Sequence, residues 1–331
     1  MNITITGGSG FLGRKLAERL LGANELNRED GVSSPVENLI LLDVTEPPED
    51  LKNDPRVTIL TGDITDRALL EKAIPKSTDS IFHLAAVVSA GAEEDFDLGM
   101  SVNLDATRNI LEICRGNNTR PKVIFASSCA GFGGDMPEVI EDMTARTPQT
   151  SYGTQKVIGE LLVNDYTRKG FIDGRALRFP TVVVRPGKPN KAASTFASSI
   201  IREPLQGEKA VCPVDPNSKM FLASPRSIIQ NVVHAHNLTA DDWGFSRETT
   251  LPGFTMSIGD MAEALRAIAG DTVANLIEWK PDPFIQKIVD GWPPEFNTQK
   301  SAELGFIRDE SMEAVIQAFI EDELQGAAPG D

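Results

Sequence analysis

The sequence contains two tyrosines, and one of them stands four residues before a lysine. In SYGTQKVIGELL, this spacing would place Tyr152 and Lys156 on one face of a helix. A free tyrosine has a pKa of about 10, and a neighbouring ammonium group lowers it by favouring the phenolate. The other tyrosine, Tyr166, has Gly170 at the same spacing. The pair predicts a phenol that works as an acid or base near neutral pH, although such pairs also occur on helix surfaces without function.

A serine precedes this helix in a position that suits a ligand. The apolar run KVIFASS predicts a buried strand that ends in Ser127 and Ser128. In open α/β sheets, ligands bind beyond the carboxyl ends of the strands. Ser128 is therefore a candidate to hydrogen-bond a substrate oxygen. Cys129, which follows it, has no histidine nearby in the sequence and is expected to be packing rather than a nucleophile.

The first residues predict a dinucleotide site. In NITITGGSGFLG, Gly7, Gly10 and Gly13 lie between a predicted strand and a predicted helix, as the dinucleotide fingerprint requires. Glycine permits positive φ and close approach of a pyrophosphate, and the helix N-terminus offers N–H donors to the phosphates. A tight turn without a ligand is the alternative, and the strand and helix around the loop make it the weaker one.

An acidic residue after the second predicted strand indicates which dinucleotide binds. Asp43 ends NLILLD, where its carboxylate can accept hydrogen bonds from the adenosine ribose and repel a 2′-phosphate. NAD is therefore expected rather than NADP, although Arg14 could face a 2′-phosphate. Asp43 lies 30 residues beyond Gly13, and the polar insertion at 24–38 explains this long spacing. Asp63 could accept from the adenine amino group or cap the next helix.

The elements that must position these residues alternate along the first half of the chain. Runs such as NLILLD, RVTILTGD, SIFHLAA and KVIFASS predict strands buried on both faces, and the amphipathic segments between them predict helices. This alternation favours an α/β fold with a doubly wound parallel sheet, a Rossmann fold, and a smaller C-terminal α/β region. His83, inside one of these strands, is expected to pack rather than to act as a base.

The regularity weakens after about Phe171, which predicts a second structural region. GRALRFPTVVV still predicts a strand, and a later helix is expected to be capped by Ser257 or Asp260. We expect residues 1–184 to form the cofactor-binding domain, with 224–250 returning to it. Residues 185–223 and 251–331 are expected to form the substrate-binding region.

Composition excludes two classes of partner. The 331 residues carry a formal net charge of -16, so neither nucleic acid nor an anionic membrane is an expected partner. Three scattered cysteines predict buried thiols in a reducing compartment, and no motif predicts a metal site. No leader-like or membrane-spanning segment is evident, so the expected location is the cytoplasm.

Six sequence elements in order resemble the extended short-chain dehydrogenase/reductase family, of the NAD-dependent epimerase/dehydratase type. They are GGSGFLG, Asp63-Ile64, HLAA, the asparagine of SVNLDATRN, FASSCAGFGG and SYGTQK. The resemblance implies that Tyr152 is the acid/base, that Lys156 binds the nicotinamide ribose, and that Ser128 polarises the substrate oxygen. It also implies a catalytic role for Asn103, which could orient the lysine through water.

The resemblance further implies an NAD site and a homodimer. Besides Tyr152 and Lys156, the implied cofactor contacts are Gly7, Gly10, Phe11, Leu12, Gly13, Asp43, Asp63, Ile64, Leu84, Ala85, Ala86, Pro180, Thr181 and Val182. The helices around 101–115 and 153–169 resemble the pair through which family members dimerise, although their apolar stripes could equally pack on the sheet.

Within the family, the chain is similar to the D-erythronate dehydrogenase branch. The similarity lies in HLAAVVSAGAEEDFDLG, TSYGTQK, the long segment GFIDGRALRFPTVVVRPGKPNKAASTFASSIIREPL and the WPPEF…LGF region. It implies oxidation of the C2 hydroxyl of a small polyhydroxy acid to a 2-keto acid. The candidate substrate contacts are Ser89, Ser128, Tyr152, Arg185, Asn190 and Ser194.

Two other functions stay open on the sequence. A nucleotide-sugar epimerase or dehydratase is one, but the RD-x-x-x-V-x-D pattern of such members is replaced here by a segment with Ser224, Pro225 and Arg226. A dinucleotide-sensing regulator or scaffold is the other. The intact Ser128, Tyr152 and Lys156 argue against that second alternative.

Overall fold

The structure is a computed structural model of the chain. It describes residues 1–23, 25–187 and 193–324. The strands in chain order are β1 (Asn2–Thr6), β2 (Glu25–Asn27), β3 (Ser33–Pro35), β4 (Asn38–Asp43), β5 (Val57–Thr61), β6 (Ser80–His83), β7 (Lys122–Ser128), β8 (Asp173–Phe179), β9 (Thr181–Val182), β10 (Ala210–Cys212), β11 (Lys219–Ala223), β12 (Glu248–Thr250), β13 (Phe254–Ser257) and β14 (Ile277–Trp279).

Helices connect most of these strands. They are α1 (Phe11–Ala23), α2 (Glu49–Lys52), α3 (Arg67–Ala73), α4 (Ser89–Glu94), α5 (Phe96–Gly99), α6 (Ala106–Asn117), α7 (Ser151–Arg168), α8 (Thr195–Leu205), α9 (Pro225–Asn237), α10 (Ala240–Trp243), α11 (Ile258–Ala274), α12 (Pro283–Asp290), α13 (Gln299–Glu303) and α14 (Met312–Glu323). A π-helical turn at Met100–Asp105 runs into α6. Within the described ranges, no helix has the length and apolar character of a membrane span.

The chain divides into two compact units. The first contains 1–131, 150–178 and 229–250, and the second contains 132–149, 179–228 and the described chain from Leu251 onward. The boundaries expected from the sequence place 132–149 with the cofactor domain, whereas its contacts group it with the second unit. One reason is local, because the backbone of Ile140 pairs with residues 295 and 297.

The first unit is built on a parallel sheet. Among the described residues it has seven strands, in the order β12-β8-β7-β6-β1-β4-β5. β1 pairs in parallel with β4 on one side and with β6 on the other. The chain therefore adds strands first on one side of β1 and then on the other, which makes the carboxyl ends of β1 and β6 the topological switch point where ligands bind. The expected doubly wound sheet is confirmed.

Burial explains why β1 lies inside this sheet, with a strand on either side. Ile3 and Ile5 are almost fully buried, as a strand covered on both faces requires. The buried threonines that alternate with them also have partners, because Thr4 Oγ1 donates to the carbonyl of Ala73 and Thr6 Oγ1 bonds His83 Nδ1. NITIT therefore reaches the interior without leaving a threonine hydroxyl unsatisfied.

The polar insertion before β4 is more ordered than a surface loop. Its strands β2 and β3 form an antiparallel pair, and Asn27 N donates to the side chain of Asn237. Another difference concerns GRALRFPTVVV, which the sequence predicts as one strand. Pro180, which lacks an N–H, ends β8, and the two-residue strand β9 follows it.

The second unit has its own apolar core. Helix α11 packs against α8 and α14, and Ile200, Leu265 and Ile316 are fully buried in this cluster. The unit also contains a small sheet in the order β13-β11-β9 and the strand pair β10-β14. Ser257 caps α11 by accepting from Asp260 N, which settles the choice between Ser257 and Asp260 that the sequence left open.

Candidate active site

Tyr152 and Lys156 stand in the first turns of α7. The helix begins after Thr150, whose hydroxyl accepts from Gly153 N and so caps it. Lys156 Nζ lies 5.6 Å from the centroid of the Tyr152 ring. Tyr152 is half-buried, whereas Lys156 is only 2% exposed. The helix thus brings the ammonium group beside the phenol ring, as the spacing predicts.

The ammonium group of Lys156 is buried at the end of β7. Nζ donates to the carbonyl of Ala126 at 2.8 Å and lies 4.9 Å from the centroid of the Phe125 ring. Burial lowers the pKa of Lys156 to about 8, and the charge of Glu160 opposes this fall. The lysine therefore loses its proton much closer to neutral pH than an exposed lysine does.

Ser128 ends β7 two residues beyond this contact. Its hydroxyl accepts from Ala130 N at 3.1 Å, and the side chain is half-buried. Helix α7 packs on β7 and on the turn at Cys129–Gly131, so the structure brings Ser128, Tyr152 and Lys156 to the same end of the sheet. Burial raises the pKa of the Cys129 thiol, which is the opposite of what a nucleophilic cysteine needs.

Asn103 stabilises two segments next to these residues. Its Oδ1 accepts from Val87 N at 2.8 Å, and its Nδ2 donates to the Val87 carbonyl at 3.0 Å and to Gln155 Oε1 at 2.8 Å. The amide thus fixes the segment after β6 and the residue before Lys156.

The glycine loop has the close packing that a dinucleotide needs. Gly7 has a φ of 72°, and a Cβ there would lie 2.8 Å from Ala85 N. A Cβ on Gly13 would lie 2.0 Å from the carbonyl oxygen of Gly7, so α1 can start this close to β1 only with glycine. Gly10 is exposed and its N–H donates to the Gly7 carbonyl. The loop fits NAD, because it leaves backbone rather than side chains at the N-terminus of α1.

Asp43 is tied to the same loop. One carboxylate oxygen accepts from the N–H groups of Ser9 and Gly10, both at 3.1 Å, and the other accepts from Thr45 N at 3.2 Å. The carboxylate therefore lies beside the glycine loop at the end of β4. This is where a fingerprint acid would meet the adenosine ribose.

The other first-unit residues of the expected NAD site surround this loop. Leu84, Ala85 and Ala86 follow β6 and are half-buried, as are Phe11 and Leu12 at the start of α1. Leu84 N donates to the Thr6 carbonyl, which aligns this segment with the end of β1.

Asp63 and Ile64 lie in the loop between β5 and α3. Asp63 is exposed and accepts from Thr65 N, while Ile64 is buried. The cap of α3 is Asp66, so the capping alternative for Asp63 is wrong.

His83 is part of the core. Its ring nitrogens bond Thr6 Oγ1 at 2.7 Å and Thr107 Oγ1 at 2.8 Å. Burial lowers the pKa of His83 to about 3, so the ring is neutral. A neutral ring with both nitrogens bonded agrees with the packing role expected for it.

The remaining candidates fall in different parts of the chain. Ser89 is the first residue of α4 in the first unit. Thr181 and Val182 form β9 and pair with β11 in the second unit, directly after Pro180. Ser194 is the residue before α8, and Arg185 is half-buried, with its backbone N–H bonded to Ser198 Oγ. Asn190 lies outside the described residues.

A buried cluster beneath Lys156 was missed by the sequence reasoning. Glu160 accepts from Arg178 Nε at 3.0 Å, from Arg178 Nη2 at 2.8 Å and from the Ser127 hydroxyl. All three residues are at most 3% exposed. Part of this cluster was predictable from the sequence, because Glu160 follows Lys156 by four residues and so shares its helix face. Within the described residues, no cluster of histidine, cysteine, aspartate or glutamate could hold a metal ion.

Comparison with known proteins identifies close relatives. D-erythronate dehydrogenase from Cupriavidus necator is 50% identical over 97% of this chain and 98% of its own length. D-erythronate dehydrogenase from Haemophilus influenzae is 47% identical over 97% of this chain and 99% of its own length.

Solved structures agree on the fold. The nucleoside-diphosphate-sugar epimerase from Agrobacterium tumefaciens has a TM-score of 0.93 and 42% identity, and the match covers 99% of this chain and 95% of that one. A monomeric L-threonine 3-dehydrogenase from a metagenome shares the fold at a TM-score of 0.82 and 24% identity, over 97% of this chain and 98% of that one. Residues 3–220 match the NAD dependent epimerase/dehydratase family, and the chain belongs to that family.

Proposed function

We propose that this protein is an NAD-dependent dehydrogenase that oxidises the C2 hydroxyl of a small sugar acid, of the D-erythronate type, to a 2-keto acid. The observation that carries the proposal is the full-length similarity, at about half identity, to two D-erythronate dehydrogenases. The grouping of Ser128, Tyr152 and Lys156 at one end of the sheet supports it, because these residues can supply the chemistry.

The residues that would hold NAD are those of the glycine loop and its neighbours. Gly7, Gly10 and Gly13 would leave room for the pyrophosphate, and Asp43 would accept from the adenosine ribose and disfavour the 2′-phosphate of NADP. The segments at 84–86 and 180–182 are proposed as further contacts, with Asp63 and Ile64 at the adenine. When bound, NAD would supply the acceptor for the hydride that leaves the substrate carbon.

Three side chains of the protein act on the proton and the oxygen of the substrate hydroxyl. Tyr152, as a phenolate, takes the hydroxyl proton of the substrate as general base. The ammonium group of Lys156 stabilises that phenolate, because an opposite charge nearby favours the ionised form. The Ser128 hydroxyl donates a hydrogen bond to the oxygen as it becomes a carbonyl. In the reverse direction, the phenol of Tyr152 returns the proton.

A small acid also needs a partner for its carboxylate and for its other hydroxyls. We propose Arg185 for the carboxylate, because a guanidinium binds carboxylates through two parallel hydrogen bonds. Ser89, Asn190 and Ser194 are proposed partners of the hydroxyl groups.

We also propose that the protein is a homodimer in the cytoplasm. Phe96, Leu98 and Leu161, on α5 and α7, are between 42% and 59% exposed, which leaves apolar surface near the helix pair expected to dimerise. Three free thiols, with no disulfide, support a reducing compartment.

A second candidate is a nucleotide-sugar epimerase, which the name of the Agrobacterium tumefaciens relative favours. Such an enzyme would return the hydride to its substrate. It would therefore release no net NADH, and the purified protein would retain its cofactor.

The decisive experiment measures NADH formation with a panel of four- to six-carbon aldonic acids and with simple secondary alcohols as controls. We expect turnover with a four-carbon acid and none with the simple alcohols. Tyr152→Phe should bind NAD normally and lose roughly 10²–10⁴-fold in kcat, whereas Tyr166→Phe, the matched control, should keep its rate. Absence of NADH with every acid, together with retained cofactor, would refute the dehydrogenase proposal in favour of the epimerase.

A further inference from the structure

The cluster of Ser127, Glu160 and Arg178 has no role in the mechanism above. Glu160 and Arg178 are an ion pair at 1% and 2% exposure. Taking two charges out of water costs several kcal/mol each, and apolar side chains of similar size are often as stable in such places. A buried ion pair directly beneath a catalytic lysine therefore calls for a functional reason.

Helix α7 aligns the cluster with the catalytic pair. Tyr152, Lys156 and Glu160 are spaced by four residues, so they form one row along the helix. The oxygens of Glu160 are held by Arg178 and Ser127, and the ammonium group of Lys156 is held by the Ala126 carbonyl. The carboxylate thus acts on the lysine through space while the lysine stays at the end of β7.

The charged and titratable groups around this row come from several elements. They are Glu160 on α7, His83 on β6, Cys129 after β7, Arg178 on β8 and Glu248 on β12. Burial keeps His83 and Cys129 neutral, since it lowers the pKa of the histidine and raises that of the thiol. Glu248 lies 4.0 Å from Arg178. Glu160 is therefore the negative charge in this group that acts on Lys156.

We propose that Glu160 is a positioning residue that keeps Lys156 protonated and thereby keeps the phenol of Tyr152 acidic, while Arg178 and Ser127 hold Glu160 in place. The inference rests on the proposed function only through the roles of Tyr152 and Lys156. It does not depend on which acid is the substrate.

The energetics of Lys156 support this role. Burial already lowers its pKa to about 8, and Glu160 opposes that effect. Without the carboxylate, the pKa of the lysine would fall further, and the lysine would release its proton at lower pH. A neutral amine no longer stabilises a phenolate, so the pKa of Tyr152 would rise.

The test uses the protein without NAD or substrate. The chain has two tyrosines, so the ultraviolet absorbance of phenolate against pH reports only two groups. Burial and the hydrogen bond to Glu112 raise the pKa of Tyr166 to about 12. The rise in phenolate absorbance at lower pH is therefore assigned to Tyr152 and is called the Tyr152 step. Tyr152→Phe checks this assignment, because it should remove the step.

Glu160→Gln should move the Tyr152 step to higher pH by about one unit or more. Glu160→Asp, which keeps the charge, should move it much less. The direction is decisive, because loss of a negative charge acting directly on Tyr152 would lower the step. A step that stays in place or moves to lower pH in a folded Glu160→Gln protein would overturn the inference.

A second variant covers the case in which Glu160→Gln does not fold. Glu160→Gln with Arg178→Gln replaces the ion pair by two neutral amides, an exchange that buried pairs often tolerate. The Tyr152 step should again move to higher pH, but by less than in Glu160→Gln, because the cationic Arg178 is also removed. An unchanged step in this double variant would count against the proposal.

Activity gives an independent reading once a substrate is found. The alkaline limb of kcat/KM should move to lower pH in Glu160→Gln, because Lys156 loses its proton earlier. A panel that yields no substrate would refute the proposed function and leave the titration result standing. An active enzyme with an unshifted titration would refute only the role of Glu160.

Discussion

At the scale of single residues, Lys156 shows a conflict between stability and chemistry. Burial lowers its pKa from 10.5 to about 8 while it holds the ammonium group beside Tyr152. At 1.36 kcal/mol for each pKa unit, the folded state gives up about 3 kcal/mol at neutral pH to keep this charge inside. The position is one that selection for stability alone would fill with an apolar side chain.

Replacing Lys156 by methionine should therefore stabilise the fold and abolish turnover. Below pH 8 the lysine is protonated in both the folded and the unfolded chain, so the gain in the free energy of unfolding should approach about 3 kcal/mol. Between pH 8 and 10.5 the unfolded chain binds more protons than the folded one, so wild-type stability rises and the gain should shrink. Urea unfolding of the wild type and of Lys156→Met at several pH values measures this gain.

The control for this prediction is Lys209→Met. Lys209 has a side chain that is 72% exposed and pairs with Glu278 on the surface, so its replacement should leave the free energy of unfolding nearly unchanged. A Lys156→Met protein that is less stable than the wild type at pH 7 would show that the lysine stabilises the fold.

At the scale of elements, the close approach of α1 to β1 shapes the glycine loop that we propose binds NAD. The start of this helix is fixed by Gly13, where any Cβ would collide with the backbone of Gly7. Gly22 lies in the same helix, and a Cβ there would meet nothing within 4 Å. One helix therefore contains a glycine that the packing requires and one that it does not.

Gly13→Ala should push α1 away from the loop. We expect the affinity for NAD to fall at least tenfold, about 1.4 kcal/mol, and stability to fall by about 1–3 kcal/mol from overpacking. Gly22→Ala should leave NAD affinity unchanged and add up to about 1 kcal/mol of stability. Calorimetric titration with NAD measures the affinity of each variant. Equal affinities in the two variants would contradict the packing argument.

The elements also show how far sequence reasoning reaches. The doubly wound sheet, α1 and α7 were predictable, because apolar runs, glycines and the Tyr-Lys spacing are local patterns. The pair of Glu160 and Arg178 was not, since it joins a helix to a strand 18 residues later and no local pattern links them. The end of β8 was missed because an apolar run continues through Pro180 and hides the break.

At the scale of the whole molecule, apolar side chains are left on the surface of an acidic protein. The net charge of -16 opposes non-specific association between copies of the chain. A stable dimer therefore needs apolar contacts that overcome this repulsion. Leu161, on α7, is 52% exposed within the helix pair that resembles a dimerisation surface. Burial of a leucine contributes about 1.5–3 kcal/mol.

Light scattering should therefore show twice the chain mass for the wild type at micromolar concentration. Leu161→Glu should weaken the dimer at least tenfold, because it loses that burial and adds a charge to the interface. Phe284→Glu changes a side chain that is 71% exposed on α12 and should leave the mass unchanged. A monomeric wild type would refute the dimer.

The double use of Asp43 limits how the cofactor preference could be re-engineered. In the proposed NAD site its carboxylate would repel a 2′-phosphate, and in the structure it accepts from two N–H groups of the glycine loop. A neutral or basic replacement would remove both effects together, so a variant made to accept NADP would begin with a looser loop and weaker binding of either dinucleotide. Redesign would have to supply a new acceptor for Ser9 and Gly10 along with the new charge. The same carboxylate would set the cofactor preference and order the glycine loop. Evolution of this chain toward NADP would therefore have to replace both of these roles at once.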